Sequence, residues 1–378
     1  MLINFAREVM NVLKKIRISG YKSLREQTID LQPINILIGG NGVGKSNFLS
    51  FFRMLNYITS KALQLYVARV GGANTLLYYG AKSSPQLECS LTFDTKAGSN
   101  VYEAKFACAA GDTLIFLDEL VSFTRTNSSA KTPKSLGSAG HKETMLDDAK
   151  VPELAKTAQV IKSIMSMWRV YHFHDTSPDA RVKKKCSIAD NEYLRDDAGN
   201  LAPFLYRLRS EHPAYYGRIV EYVRLFAPWF GDFVLKPDVE NTGTISLSWR
   251  EKDSDYPFGV DQLSDGTLRM MALISMLLQP SLPSCIILDE PELGLHPFAL
   301  RLLADIIKAT SRKSQVVVAT QSAYFVDQFT ANDILVAERS NKQSVFKRLD
   351  ESALELWLKE YSLGELWEMN VFGGRPAL

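Results

Sequence analysis

Residues 39–46 read Gly-Gly-Asn-Gly-Val-Gly-Lys-Ser, which sets Gly39, Gly44, Lys45 and Ser46 on the spacing G-x-x-x-x-G-K-[ST]. Each residue type has a task in gripping a triphosphate. Glycines at 39, 42 and 44, flanking Asn41, let backbone N–H groups curl around phosphate oxygens where a Cβ would intrude. A helix beginning near Lys45 would aim its positive end at the same anion, with Asn47 in its first turn. Lys45 is placed to reach the β and γ phosphates, and the Ser46 hydroxyl to ligate Mg²⁺. The plain alternative is a glycine-rich turn with no ligand.

A second cluster closes the run Cys285-Ile286-Ile287-Leu288-Asp289-Glu290. An apolar strand ending in two acids places carboxylates where an open α/β sheet holds its ligand. Asp289 would hold Mg²⁺, through water, and Glu290 would polarise the attacking water. The same pair could equally cap the next helix. A third segment, Leu263-Ser264-Asp265-Gly266-Thr267, lies 25 residues before Asp289 at the start of an apolar helix. Ser264 and Gly266 can offer a hydroxyl and a bare N–H to a phosphate. Alone, that segment is only a good helix N-terminus.

The elements around these residues follow from hydrophobic patterning. Ile34–Ile38 is a near-continuous apolar run, the mark of a strand buried on both faces. Phe48, Leu49, Phe51, Phe52, Leu55 and Ile58 then recur at helical spacing. Before them, 14–19 alternates as a half-buried or edge strand, with a hairpin partner near 29–31. Three β-rich stretches between Leu87 and Phe123 predict a meander turning at 98–100 and 111–112. The Ser-, Gly- and Lys-rich segment 124–142 predicts an exposed flexible loop, solvated or touching DNA. The pattern over 151–235 is mostly helical, with Pro203, Pro213 and Pro228 as punctuation. Beyond it, a helix over 267–278, strand 286–288, helix 298–309 and strand 316–319 predict a parallel sheet with packed helices.

The chain is thus expected to be α/β: a P-loop head with a mixed or parallel core sheet, an antiparallel β subdomain and an inserted, mainly helical lobe. The expected division is 1–123 for the first part of the head, 124–250 for the lobe and 251–378 for the rest. Composition agrees with a globular protein, at 46% hydrophobic and 23% charged. The 44 basic and 42 acidic side chains leave a net charge of +2, too little for a global field toward nucleic acid or membrane. Four widely spaced cysteines suggest neither a zinc site nor a disulfide framework, and fit a reducing compartment. The longest apolar run, 270–278, is far too short to span a bilayer, so a cytoplasmic protein with no membrane partner is expected. Met10 is an alternative start to Met1.

The order glycine loop, Leu263–Thr267, Asp289-Glu290 resembles that of ABC ATPases, with Asp265 and Thr267 replacing the commoner Gly and Gln of the signature. Pro291–Pro297 resembles the D-loop of the RecF, SMC and OLD branch, and Asn41 and Asn47 match the loop of that branch. Segments Tyr171–Pro178, Asp197–Leu208 and Tyr361–Pro376 extend the resemblance to bacterial stand-alone AAA/ABC-type predicted ATPases. The resemblance implies a homodimer or larger oligomer of heads closing head to tail around ATP and Mg²⁺, with Ser264 and Gly266 acting in trans. At the switch position, usually His, stands Gln321, which hydrogen-bonds but carries no charge. Slow, partner-gated hydrolysis is therefore expected. The expected setting is defence against phage or mobile elements, with a separate effector such as a nuclease encoded nearby, because the chain shows no nuclease acid cluster. A RecF-like head acting directly on DNA is the alternative; a transporter energy subunit fits poorly. Gln86 is the sole, weak suggestion for a Q-loop.

The remaining conspicuous residues read as structural. His172, His174 and Asp175 lack a third metal ligand at useful spacing. Lys183–Lys185 suits a solvated turn, His296 an interfacial or structural place, and 357–367 a packed helix followed by an exposed GGRP tail.

Overall fold

A computed structural model describes residues 12–375. Strands β1 (Val12–Tyr21) and β2 (Leu24–Asp30) form the expected hairpin. Strand β3 (Ile34–Ile38) then runs through the glycine loop into α1 (Lys45–Thr59), followed by α2 (Leu63–Arg69). The meander is β4 (Gln86–Thr95), β5 (Gly98–Ala109) and β6 (Thr113–Arg125). Its first turn falls at Lys96 and Ala97, so Gly98–Asn100 lies inside β5 rather than in the turn.

The 124–142 segment is mostly exposed, as expected, but its second half is not loose. Strand β7 (Lys134–Ser135) pairs with β6, and Leu136 N–H and Gly140 N–H donate to the carbonyls of Glu119 and Phe116. After α3 (Pro152–Ser166), residues read as helical instead form β8 (Trp168–Tyr171). Four residues are too few for a period to show, and their burial against a neighbouring strand decides the matter. Residues 172–200 are largely turns around β9 (Cys186–Ser187); helices return as α4 (Leu201–Glu211) and α5 (Pro213–Phe226). Short strands β10 (Phe230–Phe233), β11 (Thr244–Ile245), β12 (Ser248–Glu251) and β13 (Pro257–Gly259) precede α6 (Asp265–Leu277). The chain ends its described course as β14 (Cys285–Asp289), α7 (Pro297–Thr310), β15 (Gln315–Ala319), α8 (Ala323–Val326), β16 (Ile334–Ser340), β17 (Gln343–Arg348), α9 (Glu351–Leu354) and α10 (Leu363–Glu368).

Two six-stranded sheets organise these elements. One is antiparallel, in the order β2-β1-β4-β5-β6-β7; β1 is therefore interior rather than an edge. The other is mixed, in the order β17-β16-β3-β15-β14-β8, parallel except for the β16–β17 hairpin. Strand β8 comes from within 124–250, so that segment is woven into the core sheet as well as forming a helical layer.

The period-2 alternation of a strand divides the core sheet between two hydrophobic cores. Ile36, Ile286 and Val316 face the helical layer of α4–α7. Leu37, Ile287 and Val317 face α1, α3 and the antiparallel sheet. Both faces are covered, which is why β3, β14 and β15 read as unbroken apolar runs. Every residue of β3 and β15 is buried, and because the two strands run parallel their C-terminal ends lie at one edge.

Candidate functional site

Three loops leave the same end of the core sheet: the glycine loop after β3, the acidic segment after β14 and the switch segment after β15. Because β15 lies between β3 and β14, the sheet register itself gathers Gly39, Thr320 and Glu290. Thr320 N–H donates to Leu37 O (2.9 Å) and Glu290 N–H to Ala319 O (2.8 Å), which fixes the strand ends in step.

The glycine loop has the backbone its composition requires. Gly42 and Gly44 have φ of +77° and +107°, which favour glycine. A Cβ on Gly44 would come 2.0 Å from Ser344 Oγ, so the loop leaves no room there. Beneath it, Ser23 Oγ accepts from Asn47 Nδ2 (2.8 Å) and bonds Ser344 Oγ (2.7 Å), so the Asn47 side chain anchors α1 to the β1–β2 hairpin. Asn41, Gly42 and Ser46 are exposed.

Lys45 opens α1 yet is buried, with its ammonium turned back onto the carbonyls of Gly39 and, at 3.1 Å, Gly40. Burial lowers its pKa, against the pull of Glu290, Asp289 and Glu292. A buried cation ringed by amides and left-handed glycines is a cradle suited to a polyphosphate. The exposed Ser46 hydroxyl and the Asp289 carboxylate are hard oxygen donors, fitting a Mg²⁺ ion that keeps phosphate oxygens and water as its other ligands.

Asp289 is drawn up in pKa, chiefly by burial, with His174 opposing. His174 Nε2 is 2.8 Å from the Asp289 carbonyl, and His172 Nδ1 is 3.9 Å from Asp289 Oδ2. Register explains this: Tyr171 at the end of β8 pairs with Leu288, so the next residues stand beside Asp289. Burial, reinforced by His174 and Arg53, lowers the pKa of His172. These two histidines are positioned on the acidic segment, and among the described residues no cluster of three His, Cys, Asp or Glu side chains suits a separate metal. Gln86 lies elsewhere, at the start of β4 paired with Ala107 in the antiparallel sheet.

Glu290 adopts φ +42°, a conformation that costs a residue with a Cβ. Its Oε1 accepts from the side-chain amide of Gln321. Glu292, not singled out for this role from sequence, organises the switch. It is buried, and Oε1 accepts from Thr320 Oγ1 (2.5 Å) and Gln321 N–H (2.9 Å). Its Oε2 is buried without a partner, and burial raises its pKa. The acid after Pro291 was visible in the sequence, but nothing there tied it to Thr320.

Ser264 and Gly266 sit on a different face. Ser264 caps α6 by accepting from Thr267 N–H (3.2 Å), and a Cβ on Gly266 would come 2.2 Å from the Gly294 carbonyl oxygen. Beside them opens a cavity of about 210 Å³ lined by Ser264, Gly266, Gly294, His296 and Phe298. Among the described residues, no hydrogen bond links Ser264 or Gly266 to the glycine loop within the chain. His296 caps α7 through Phe298 N–H (3.3 Å). Arg269 is buried, donating to the carbonyls of Phe173 (2.8 Å), His174 (3.3 Å) and Leu293, and so locks α6 to both the D-loop segment and the 172–174 turn. Lys183, Lys184 and Lys185 are each ion-paired, with Asp265, Asp179 and Asp238.

Residues 110–327 match a family described as "AAA domain, putative AbiEii toxin, Type IV TA system", and residues 12–188 match one described as "AAA ATPase domain". No curated protein sequence matches. The chain is similar to an SmcHead solved bound to the C-winged helix domain of ScpA, at 15% identity and TM-score 0.60, over 91% of this chain and 99% of that one. It is also similar to an Smc head domain with an extended coiled coil, derived from Pyrococcus furiosus and bound to the C-terminal domain of ScpA. There the identity is 14% and the TM-score 0.55, over 93% of this chain and 99% of the other. At such identities the likeness is one of fold. Among the described residues no helix is long and apolar enough to cross a membrane.

Proposed function

The chain belongs to the AAA-domain family matched by residues 110–327, and from that premise we propose that it is an ABC-type ATPase of the RecF/SMC/OLD branch that hydrolyses ATP slowly while pairing head to tail. The observation that carries this reading is the convergence of Lys45, Asp289, Glu290 and Gln321 at one end of the core sheet. In the proposed reaction, amides of residues 42–46 and the Lys45 ammonium bind the β and γ phosphates. Mg²⁺, held by Ser46 and Asp289, neutralises charge on those oxygens when bound. Glu290 orients the attacking water and takes its proton, and Gln321 holds Glu290 in place while offering an uncharged amide to the γ-phosphate. A neutral switch residue stabilises developing charge less than a cation would, hence the slow rate.

Pairing is supported by the signature face. Phe298 is 55% exposed and Leu293 40% exposed beside the Ser264–Gly266 cavity, an apolar rim that a facing copy would cover. In that pair Ser264 and Gly266 complete the partner's phosphate site. The toxin-system description of the family and the ScpA-bound state of the similar heads support a role in switching a separate effector, as in defence against phage or mobile elements. The protein is expected to work in the cytoplasm.

A second reading, direct action on DNA, is favoured by a groove of about 660 Å³ between β6 and α3. Arg125, Lys131, Lys134 and Lys156 line it against a single acid, Glu153. Sedimentation of Glu290→Gln with ATP and Mg²⁺ tests the first reading: a nucleotide-dependent dimer is expected, and a monomer that binds no ATP would end it. Salt-sensitive DNA binding strengthened by ATP would favour the second.

A further inference from the structure

Of the GGRP tail expected to be exposed, Arg375 is so and Pro376 lies outside the described residues, but Gly374 is buried against the glycine loop. Helix α10 rests on α8, where Gly364 N–H donates to Asp327 Oδ1 (2.6 Å) and a Cβ on Gly364 would meet the Ala323 carbonyl oxygen at 2.6 Å. Helix α8 begins at Ala323, two residues after the switch pair Thr320-Gln321. From α10 the chain turns through Asn370 at φ +61° to Gly373 and Gly374, both at φ +85°. Gly374 N–H donates to Glu338 Oε1 (2.9 Å), and the Gly374 carbonyl accepts from Gly40 N–H (2.8 Å). Arg375 N–H returns to Asn370 Oδ1 (3.3 Å), closing the turn on itself.

Glycine is required at both positions by conformation and by space. A Cβ on Gly373 would lie 1.9 Å from Glu338 Oε1, and one on Gly374 2.8 Å from Val336 Cγ1. Neither demand comes from folding of the sheet, since β16 already pairs with β3 and β17 without this segment. What the turn does secure is the Gly40 peptide. The Gly40 N–H shares its peptide unit with the Gly39 carbonyl, which with the Gly40 carbonyl holds the Lys45 ammonium, so whatever fixes this peptide fixes the direction from which Lys45 meets a phosphate.

We propose that residues 363–375 form a positioning strap that joins the switch to the glycine loop, with Gly374 and Glu338 holding Gly40 so that Lys45 is set for the nucleotide. The strap deepens the reading of residues 39–46 as a nucleotide site and rests on it. One end sits on α8 through Asp327 and the other on Gly40, so a shift of the switch is passed to the loop through a hydrogen bond at each end. Gly374 and Glu338 act through Gly40 and Lys45; neither touches the nucleotide.

The test combines amide exchange of peptides covering residues 36–48 with binding of a fluorescent ATP analogue. Gly374→Val should raise exchange at Gly40 in nucleotide-free protein and weaken the analogue about five- to tenfold, the scale of one lost hydrogen bond at a preorganised site. Glu338→Ala should move both readouts in the same direction. Glu338→Gln keeps an oxygen acceptor for Gly374 N–H and should restore both to within about twofold. A folded Gly374→Val protein with native exchange and native affinity overturns the strap. If that variant does not fold, the Glu338 pair decides: equal behaviour of Ala and Gln overturns it. Failure of the unaltered protein to bind the analogue would instead overturn the nucleotide reading, while the exchange arm still judges the strap.

Discussion

Gln321 donates its side-chain amide to the carboxylate of Glu290, and Glu290 holds that contact from a left-handed backbone at φ +42°. The two residues leave different strands, β15 and β14, and meet only because the sheet places those strand ends side by side. A strained acid held by a neutral amide is an arrangement for aiming one oxygen, since a free side chain would relax.

Two substitutions at Glu290 separate strain from chemistry. Glu290→Gln should retain ATP affinity within about twofold while phosphate release falls by about 10²–10⁴, the usual contribution of a general base. Glu290→Gly should also lose turnover but gain stability by about 1 kcal/mol, because glycine adopts this φ without cost. Thermal melts and phosphate-release assays on both variants check this; a less stable Glu290→Gly protein would remove strain from the account.

Glu292 should prove to be a positioning residue for the switch. Its Oε1 binds both Thr320 and the Gln321 backbone, so Glu292→Ala releases the segment that aims Gln321. Turnover should fall about tenfold, in line with loss of two hydrogen bonds of about 1 kcal/mol each only partly expressed in the rate. Glu292→Gln keeps an oxygen at the same place and should recover most of it. Equal rates for Ala and Gln would show that Glu292 only fills space.

Much of this was legible in the sequence because it depends on local pattern. Strands β3, β14 and β15 announced themselves as apolar runs since both sheet faces are covered, and the glycine loop because its φ values admit few residues. What stayed hidden depends on distant partners. Nothing in the sequence marks Arg269, and only the fold supplies the three carbonyls it serves. The residues of β8 are too few to show a period, and the turn at Gly373-Gly374 is explained by Glu338 and Gly40, far away in sequence. Likewise 124–142 has a loop's composition, yet backbone pairing along β6 orders it.

The signature face makes a distinct prediction. Gly266→Ala puts a methyl 2.2 Å from the Gly294 carbonyl oxygen, so α6 or the D-loop segment must move, at about 1–3 kcal/mol for an overpacked contact. Ser264→Ala loses the helix cap on Thr267 N–H and should cost about 1 kcal/mol. Both should abolish the ATP-dependent dimer of a Glu290→Gln background in light scattering, while leaving nucleotide binding by the single head intact. Dimers that persist in both variants would exclude the head-to-tail arrangement.

Stability should fall as pH rises through and above 6.5, and His141 should account for it. The imidazole lies against two acceptors: Nε2 is 3.3 Å from Glu119 Oε2 and Nδ1 is 2.9 Å from the Ser138 carbonyl oxygen. A neutral ring has one N–H and can satisfy only one of them, whereas the imidazolium satisfies both. The hydrogen bond to Glu119 accordingly raises the His141 pKa above its ordinary 6.5, with burial opposing. Glu119 is fully buried and also accepts from Tyr102 Oη (2.8 Å), Thr144 Oγ1 (2.5 Å) and Met145 N–H (2.7 Å), so the histidine pins the return of 136–146 along β6. A folded pKa above the unfolded value makes the contribution complete below about 6.5 and lost as pH climbs through the raised value. Unfolding midpoints measured across that range should therefore decline for the native sequence and flatten for His141→Gln, which donates only one side at any pH. The residues just before this segment include Lys131 and Lys134 at the basic groove, and proteolysis there should quicken over the same pH interval. Parallel slopes for the two proteins would place the pH dependence elsewhere.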